Sequence, residues 1–315
     1  MGLKNWQYAL DLKQLHKPHG EPRMNDLAKM FQCVLRPVIL MLSCLALLPA
    51  QAAEKEAIAW VNFNISPGGI LTGEFKGQGV GDLFYQTYKA ALPEYQHSFS
   101  YANPARMRRI IRESKNTCIV YIFHLPEYSK YRYWGPINYI APPNRIITTP
   151  KVAPRLAKKD LSLAKILKMD SMRLGAMGGR MYRVQNVLEA NKDNPNLLRL
   201  STPSKNLYQM LLAGRLEYTL GDWTELTFME KTLALENEFV TFPMQELTGY
   251  TPNFVSCTKN AWGKEVVNKL HQRFNNADVI EQKILPSILN WVRTPDRQAY
   301  AAEYKRFVKE HFNKQ

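Results

Sequence analysis

The sequence is poor in the residues that build metal and redox centres, with 4 cysteines and 6 histidines in 315 residues. It contains no His-Glu-x-x-His pair, which removes the helical zinc-protease arrangement. It also lacks the Gly-x-Ser-x-Gly elbow of a serine hydrolase and the Gly-x-x-x-x-Gly-Lys loop that cradles phosphates. The run Gly77-Gln78-Gly79-Val80-Gly81 departs from the Gly-x-Gly-x-x-Gly spacing of a dinucleotide fold. No metal and no cofactor is therefore expected. No apolar run reaches the roughly 20 residues of a spanning helix, and no long low-complexity tract points to disorder. Acidic residues are scarce, 27 against 42 Lys and Arg, for a net charge of +15. Such an excess suits nucleic acid when it is gathered into one patch. Here the basic residues are spread along the whole chain, so no nucleic-acid partner is expected, and anionic surroundings or an anionic ligand fit better.

The first fifty residues read as an address. Val38–Leu48 is uninterruptedly apolar, Lys29 and Arg36 precede it, and Ala50-Gln51-Ala52 follows. A positive flank, a short apolar centre and a small-x-small ending make a secretory signal peptide. Cleavage is expected after Ala52, giving a periplasmic protein. The polar stretch before Lys29 is long for a leader, so Met24 or Met30 is an alternative start. Cys44 after Leu42-Ser43 gives a competing lipoprotein reading, outweighed by the apolar residues that continue past it. Cys33 and Cys44 leave with the leader. Cys118 and Cys257 stay, too few for a zinc ribbon, and either pair in an oxidising compartment or are buried free thiols.

Beyond the leader, apolar runs and helical stripes alternate. Ile58–Phe63 reads as a buried strand. Val80, Leu83, Phe84, Tyr88, Ala91 and Leu92 form a helix stripe that Pro93 stops. His97–Tyr101 is a second strand, Asn103-Pro104 an N-cap and first-turn proline, and Cys118–Phe123 a third strand. This β-α-β-α-β order announces a parallel sheet. Arg145–Thr149 reads as a connection leaving the first lobe. A second α/β unit repeats the pattern: Leu161–Lys168 helical, Met172–Ala176 a strand, Val184–Ala190 a helix and Leu197–Leu200 a strand. Ser204 is read as the cap of the next helix, followed by the strand Leu216–Leu220. Asp222 with Glu225 reads as a capping box, and Phe239–Phe242 as a strand. Tyr250–Cys257 carries the chain back to two helices, marked by Val266, Val267, Leu270 and Phe274 and then by residues Tyr300 to Phe312.

Several of these segments together resemble the periplasmic solute-binding proteins of the amino-acid-binding type, bacterial extracellular family 3. The residues concerned are Trp60-Val61-Asn62-Phe63, Gly77-Gln78-Gly79, Asn103-Pro104-Ala105-Arg106-Met107, Cys118, His124-Leu125-Pro126-Glu127 and Trp134-Gly135-Pro136. In the second half they are Leu174–Arg180, Leu211–Tyr218, Gly221-Asp222, Val255-Ser256-Cys257 and Trp262-Gly263. The resemblance spans nearly the whole chain after the leader. It implies an α/β, two-lobed type II fold, each lobe a mostly parallel sheet flanked by helices, with two crossover strands. Its lobes would cover residues 53–147 with 247–315, and 148–246, after a leader at 1–52. It also implies that the returning strand lies beside the strand of Cys118, which favours a Cys118–Cys257 disulfide. One departure stands out. Amino-acid binders carry Thr-x-x-Arg after the third strand, whose arginine grips an α-carboxylate. The aligned segment here is Leu125-Pro126-Glu127-Tyr128, and a phenol brings no positive charge.

In such a fold the ends of the parallel strands face the cleft. That selects Asn62, Phe63, Tyr101, Asn103, His124 and Tyr128 in the first lobe, with Arg106 as the arginine of its helix that turns inward. In the second lobe it selects Gly179, Arg180, Tyr182, Asp222 and Trp223. The turn Gly178-Gly179-Arg180 is either an anion-holding helix start or an ordinary strand-to-helix turn. Asp222 is either a ligand group or a helix cap, and His124 a ligand group or a satisfied structural histidine. The aromatic run Tyr128, Tyr131, Tyr133, Trp134 and Tyr139 reads first as packing between loop and lobe, and second as a stacking surface for a flat ligand. The function expected is binding of a small polar or anionic solute by hinge closure, as a monomer, for an inner-membrane transporter or a receptor. The alternatives are an enzyme on the same fold, for which Glu127 with His124 is the acid–base pair available, and a sensory accessory protein.

Overall fold

The computed structural model describes residues 55–157, 161–235 and 237–312. The leader, Cys33, Cys44 and the cleavage point lie outside the described residues. Within them the chain builds two five-stranded sheets. The first contains β1 (Ala57–Phe63), β2 (Gln96–Ala102), β3 (Thr117–Phe123), β4 (Arg132–Ala141) and β10 (Thr251–Thr258), in the order β2-β1-β3-β10-β4. The second contains β5 (Arg145–Thr148), β6 (Leu174–Met177), β7 (Leu197–Leu200), β8 (Tyr218–Gly221) and β9 (Val240–Phe242), in the order β7-β6-β8-β5-β9. Each sheet has three parallel neighbours, then one antiparallel strand, then an edge strand paired to it. The two halves share one topology.

Burial explains the strand order. In β1, Ile58, Trp60 and Val61 are all buried, as befits a central strand covered on both faces. In β2 exposed and half-buried residues alternate, the habit of an edge strand. Helix α1 (Val80–Ala91) lays Phe84, Tyr85 and Tyr88 on the sheet. Trp60 stacks on Tyr88 at 5.3 Å and donates its indole N–H to His97 Nδ1 at 2.9 Å, so a large apolar ring is buried with its polar atom satisfied. In α2 (Pro104–Glu113), Asn103 caps as expected, accepting from Arg106 N at 2.8 Å.

The strand β4 has no counterpart in the sequence reading. Pro136 argues against a strand, since it cannot donate to a ladder. The pairing shows how it is accommodated: Phe254 faces Ile137 and Ser256 faces Trp134, so Gly135 and Pro136 together oppose Val255 in a bulge. A second irregularity, between Asn253–Tyr139 and Phe254–Ile137, leaves Asn138 over. Its amide turns inward to Tyr88 Oη at 2.6 Å and Val120 O at 2.7 Å. Helix α9 (Arg297–Phe312) locks the same strand, with Tyr300 and Tyr304 donating to Ile140 O and Asn138 O.

Other boundaries differ from expectation. Arg145–Thr148 pairs with β8 and β9, so the chain crosses to the second sheet at residues 142–144, before the expected division at 147/148. Helix α3 spans only Leu163–Ile166, and α4 Gln185–Ala190. Helix α5 (Ser204–Leu212) has Pro203 at its N-cap, and Ser204 caps nothing because it is already the first helical residue. Helix α6 (Trp223–Leu233) is capped by Asp222. After β10 come α7 (Ala261–Arg273) and α8 (Ala277–Leu289). The sequence reading passed over α8, which holds Pro286 within it.

Cys118 and Cys257 sit directly opposite in the β3–β10 register and form a disulfide. Beside this pair Arg132 is buried without a carboxylate among its partners. It donates to Thr117 O and Ser256 O at 2.8 Å and to Thr258 Oγ1 at 3.2 Å, and burial lowers its pKa to about 9. No helix among the described residues is long and apolar enough to cross a membrane.

Candidate functional site

Between the two sheets lies a cavity of about 180 Å³, room for about six water-sized groups at roughly 30 Å³ each. The first lobe supplies aromatic walls: Phe63 from the end of β1, Tyr121 and Phe123 from β3, Tyr139 from β4, and Tyr128 beyond β3. The second lobe supplies the charges of its floor. Arg180 comes from the turn after β6, and Asp222 and Glu225 from the start of α6.

Arg180 is fixed by two partners. Its Nη1 donates to both Glu225 oxygens, at 3.1 and 2.9 Å. Its guanidinium lies 5.0 Å over the Tyr182 ring, and Tyr182 is itself pinned by the Met177 N–H donating to its hydroxyl at 2.8 Å. Burial works against the arginine's charge, but Glu225, Tyr182 and Asp222 overcome it and hold its pKa above the usual value. Burial pushes the Glu225 carboxyl up, with Arg180 opposing. Side-chain exposures of 13% and 3% make this a buried ion pair, of the kind whose disruption costs about 3–5 kcal/mol. The capping box expected from Asp222 and Glu225 is therefore only half formed. Asp222 Oδ1 accepts from Thr224 N at 2.9 Å, from Glu225 N at 3.0 Å and from the Thr224 hydroxyl. The Glu225 carboxylate turns to Arg180 instead of back to the cap. Asp222 Oδ2 makes no hydrogen bond among the described residues, and it belongs to a residue on the cavity wall.

Contacts between the lobes close the cavity. Arg108 Nη1 donates to Gly179 O at 2.8 Å, and the Tyr128 hydroxyl meets Met181 Sδ at 3.7 Å. Arg183 Nη1 donates to Gly249 O at 2.6 Å.

Two comparisons return nothing: no protein-family model matches the chain, and no curated protein does. Solved structures do match. A substrate-binding protein of an ABC uptake transporter from Streptococcus pneumoniae, with bound histidine, superposes with a TM-score of 0.56 at 13% identity, over 76% of this chain and 92% of that one. An amino-acid ABC transporter substrate-binding protein from the same organism, bound to L-arginine, gives 0.53 at 14% identity, over 78% and 100%. A histidine kinase sensor domain described as similar to periplasmic binding proteins gives 0.54 at 10% identity, over 80% and 96%. The chain has the two-lobed periplasmic-binding-protein fold.

Within that binding-protein fold, Phe63, Tyr128, Arg180 and Asp222 line the cavity. The other selected residues lie elsewhere, each for a local reason. Asn62 is buried beneath the cleft, donating to Gly68 O at 2.9 Å and Asp82 Oδ1 at 3.0 Å. Tyr101 joins the same network, burial and the Asp82 charge raising its pKa. Asn103 spends its oxygen on the helix cap and is exposed. Arg106 is exposed too, and it is Arg108 that reaches the cavity. His124 is exposed, bonded to Ser129 Oγ at 3.0 Å and set edge-on to Trp134. Trp223 packs on Tyr300 at 5.2 Å, behind the cleft. Tyr182 is the buried shelf under Arg180.

The turn at Gly178-Gly179-Arg180 is a strand-end turn. Gly178 N donates to Leu200 O and Arg180 N to Met177 O, while α4 begins only at Gln185. No helix start faces an anion there. Gly179 adopts φ +76° with open space around it, so its backbone conformation and not crowding calls for glycine. Tyr121, Tyr139 and Glu225 were missed as cleft residues: Tyr121 lay within a continuous apolar run, Tyr139 in a segment read first as packing, and Glu225 in an apparent cap.

Proposed function

We propose that this chain binds a small polar solute carrying an ammonium group, closing its two lobes around it, and delivers it to an inner-membrane transporter or reports it to a receptor. The observation that carries the reading is Asp222. One oxygen is consumed by the helix cap, the other makes no hydrogen bond among the described residues, and Asp222 lines the cavity, whose arginines are engaged elsewhere: Arg180 with Glu225, Arg108 with Gly179 O and Arg183 with Gly249 O. A carboxylate with a spare acceptor, surrounded by tyrosine rings, suits a cation and a flat or apolar body. The histidine and arginine held by two of the structural neighbours both carry such an ammonium group. Tyr128, standing where an arginine would grip an α-carboxylate, spends its hydroxyl on Met181. Export through the leader and action as a monomer in the periplasm complete the proposal. No enzyme reading gains support, since neither Glu127 nor His124 lines the cavity.

The test is a thermal-shift screen of the mature chain with amino acids, polyamines, organic acids and nucleosides, repeated on Asp222→Asn. Asparagine still caps a helix, so the variant keeps the fold and loses the charge. A ligand at a hundred times its Kd stabilises by about 2.7 kcal/mol. Amines are expected to raise Tm in the parent and not in the variant. Equal stabilisation of both proteins by a carboxylate without an amine would overturn the reading.

A further inference from the structure

A second cavity, of about 450 Å³, lies across the Ile65-Ser66 segment from the first, and those two residues line both. One wall is the loop after β1, residues 64–75, which Asp82 ties to the first lobe by accepting from Ile70 N at 3.0 Å. The other wall belongs to the second lobe, from the start of α5 and the middle of α6.

We propose that this cavity is a second binding site, for a small organic anion with a compact apolar body. Lys205, in the first turn of α5, and Lys231, on α6, both line it. Neither forms a salt bridge among the described residues. Lys231 lies 5.2 Å over the Trp291 ring and donates only to Asn290 O, at 3.3 Å. Glu74 is the acid of this lining, so two cations face one anion. Helix α5 opens at the same wall with Pro203 at its N-cap and no side chain closing its first turn. The positive end of that helix adds to the lysines. The buried Ser204 hydroxyl, on the same wall, interacts with the Glu225 carboxylate, so the charge for an anion comes from the lysines and the helix end.

The remaining surface is apolar. Phe75 and Phe228 approach from opposite lobes and both pack edge-on against Trp291, at 5.5 and 5.4 Å. Leu71 stands at the wall with 40% of its surface exposed, and an occupant would cover it. Positive charge on one side and aromatic surface on the other select an aryl or short alkyl carboxylate over a bare inorganic anion. The site is independent of the ammonium-binding reading of the first cavity.

Methionines report the two cavities separately. Met177 and Met229 line the second, Met107 and Met181 the first. The experiment titrates the mature chain, labelled with methyl-13C methionine, with benzoate, benzylamine and inorganic phosphate. Benzoate is expected to shift the Met177 and Met229 resonances saturably and leave Met107 and Met181 in place. Benzylamine should leave Met177 and Met229 unmoved. The double variant Lys205→Glu/Lys231→Glu, at two exposed positions, should weaken benzoate at least tenfold, while Asp222→Asn should not. Benzoate shifts confined to Met107 and Met181, affinity unchanged in the double variant, or phosphate binding as tightly as benzoate would each overturn the proposal.

Discussion

Reducing the Cys118–Cys257 bond is expected to remove a large part of this protein's stability. The bond joins residues 139 apart in sequence, and the loop it closes contains every strand of the second sheet. In the unfolded chain that loop is a severe restriction. The chain-entropy relation, −2.1 − 1.5R ln n, gives about 5 kcal/mol at 25 °C for a loop of this size. Both sulfurs are buried in the β3–β10 pair, so the native packing changes little when the bond opens. The loss therefore falls on the unfolded side of the equilibrium. Against a total of about 5–15 kcal/mol for ordinary domains, this is decisive. The measurement is urea unfolding of the mature chain with and without reductant, the same residues being present in both arms. Reduction should lower the unfolding free energy by about 3–5 kcal/mol and Tm by about 10 °C or more. Two free thiols titrating in the unfolded, unreduced protein would refute the reasoning. So would a stability that reduction leaves within about 1 kcal/mol.

Two further outcomes concern the core. Burial raises the pKa of Tyr88, Tyr139, Tyr208, Tyr300 and Tyr304. The unfolded chain releases these protons near pH 10 while the folded one keeps them, so stability should be flat below that pH and fall above it. The slope is about 1.4 kcal/mol per tyrosine per pH unit. Tyrosinate absorbance at 295 nm should then appear in one step with the loss of near-ultraviolet dichroism; gradual ionisation of a still-native protein would contradict this. Arg132→Lys keeps a buried charge but loses the planar fork that reaches Thr117 O and Ser256 O. It should cost about 3 kcal/mol or more and at least as much as Arg132→Met, as read by urea midpoints; a lysine tolerated better than methionine would show that the charge, not the fork, matters.

How much of this was legible depends on the range of the forces involved. Strands such as β1 and β3 are continuous apolar runs, and their burial follows from composition alone. The strand β4 was hidden because its proline is admitted by a bulge, and a bulge is a property of the pairing with β10. The strand ends were expected to face a cleft, and of the residues selected there Phe63, Tyr128, Arg180 and Asp222 line the cavity between the sheets. Which way neighbouring side chains point was beyond reach. Asn62 turns down because Asp82, 20 residues later, waits beneath it. Arg106 and Arg108 lie about 100° to either side of buried Met107 on the helix, and only the docked helix shows which side faces the cavity. Glu225 satisfied a local capping pattern, yet a partner 45 residues away outweighs the cap.

The division of labour between the lobes has a consequence for closure. The floor charges of the first cavity, Arg180, Glu225 and Asp222, all belong to the second lobe, and the first lobe brings rings together with Arg108, which is engaged with Gly179 O. On the proposed binding reading, a charged group would make its first contacts with the second lobe alone. Closure would then lay Tyr121 and Tyr139 over it, exclude water and strengthen the same electrostatic contact by lowering the local dielectric. Only that gain, realised in the closed form, shifts the equilibrium toward closure. Part of the work is done by the protein itself. The Arg108–Gly179 and Tyr128–Met181 contacts join the lobes without involving a ligand, and a hydrogen bond from a charged donor contributes about 1.5–3 kcal/mol. A ligand then needs less differential affinity to reach a closed majority than the roughly 5.5 kcal/mol required to move a 1:99 equilibrium to 99:1.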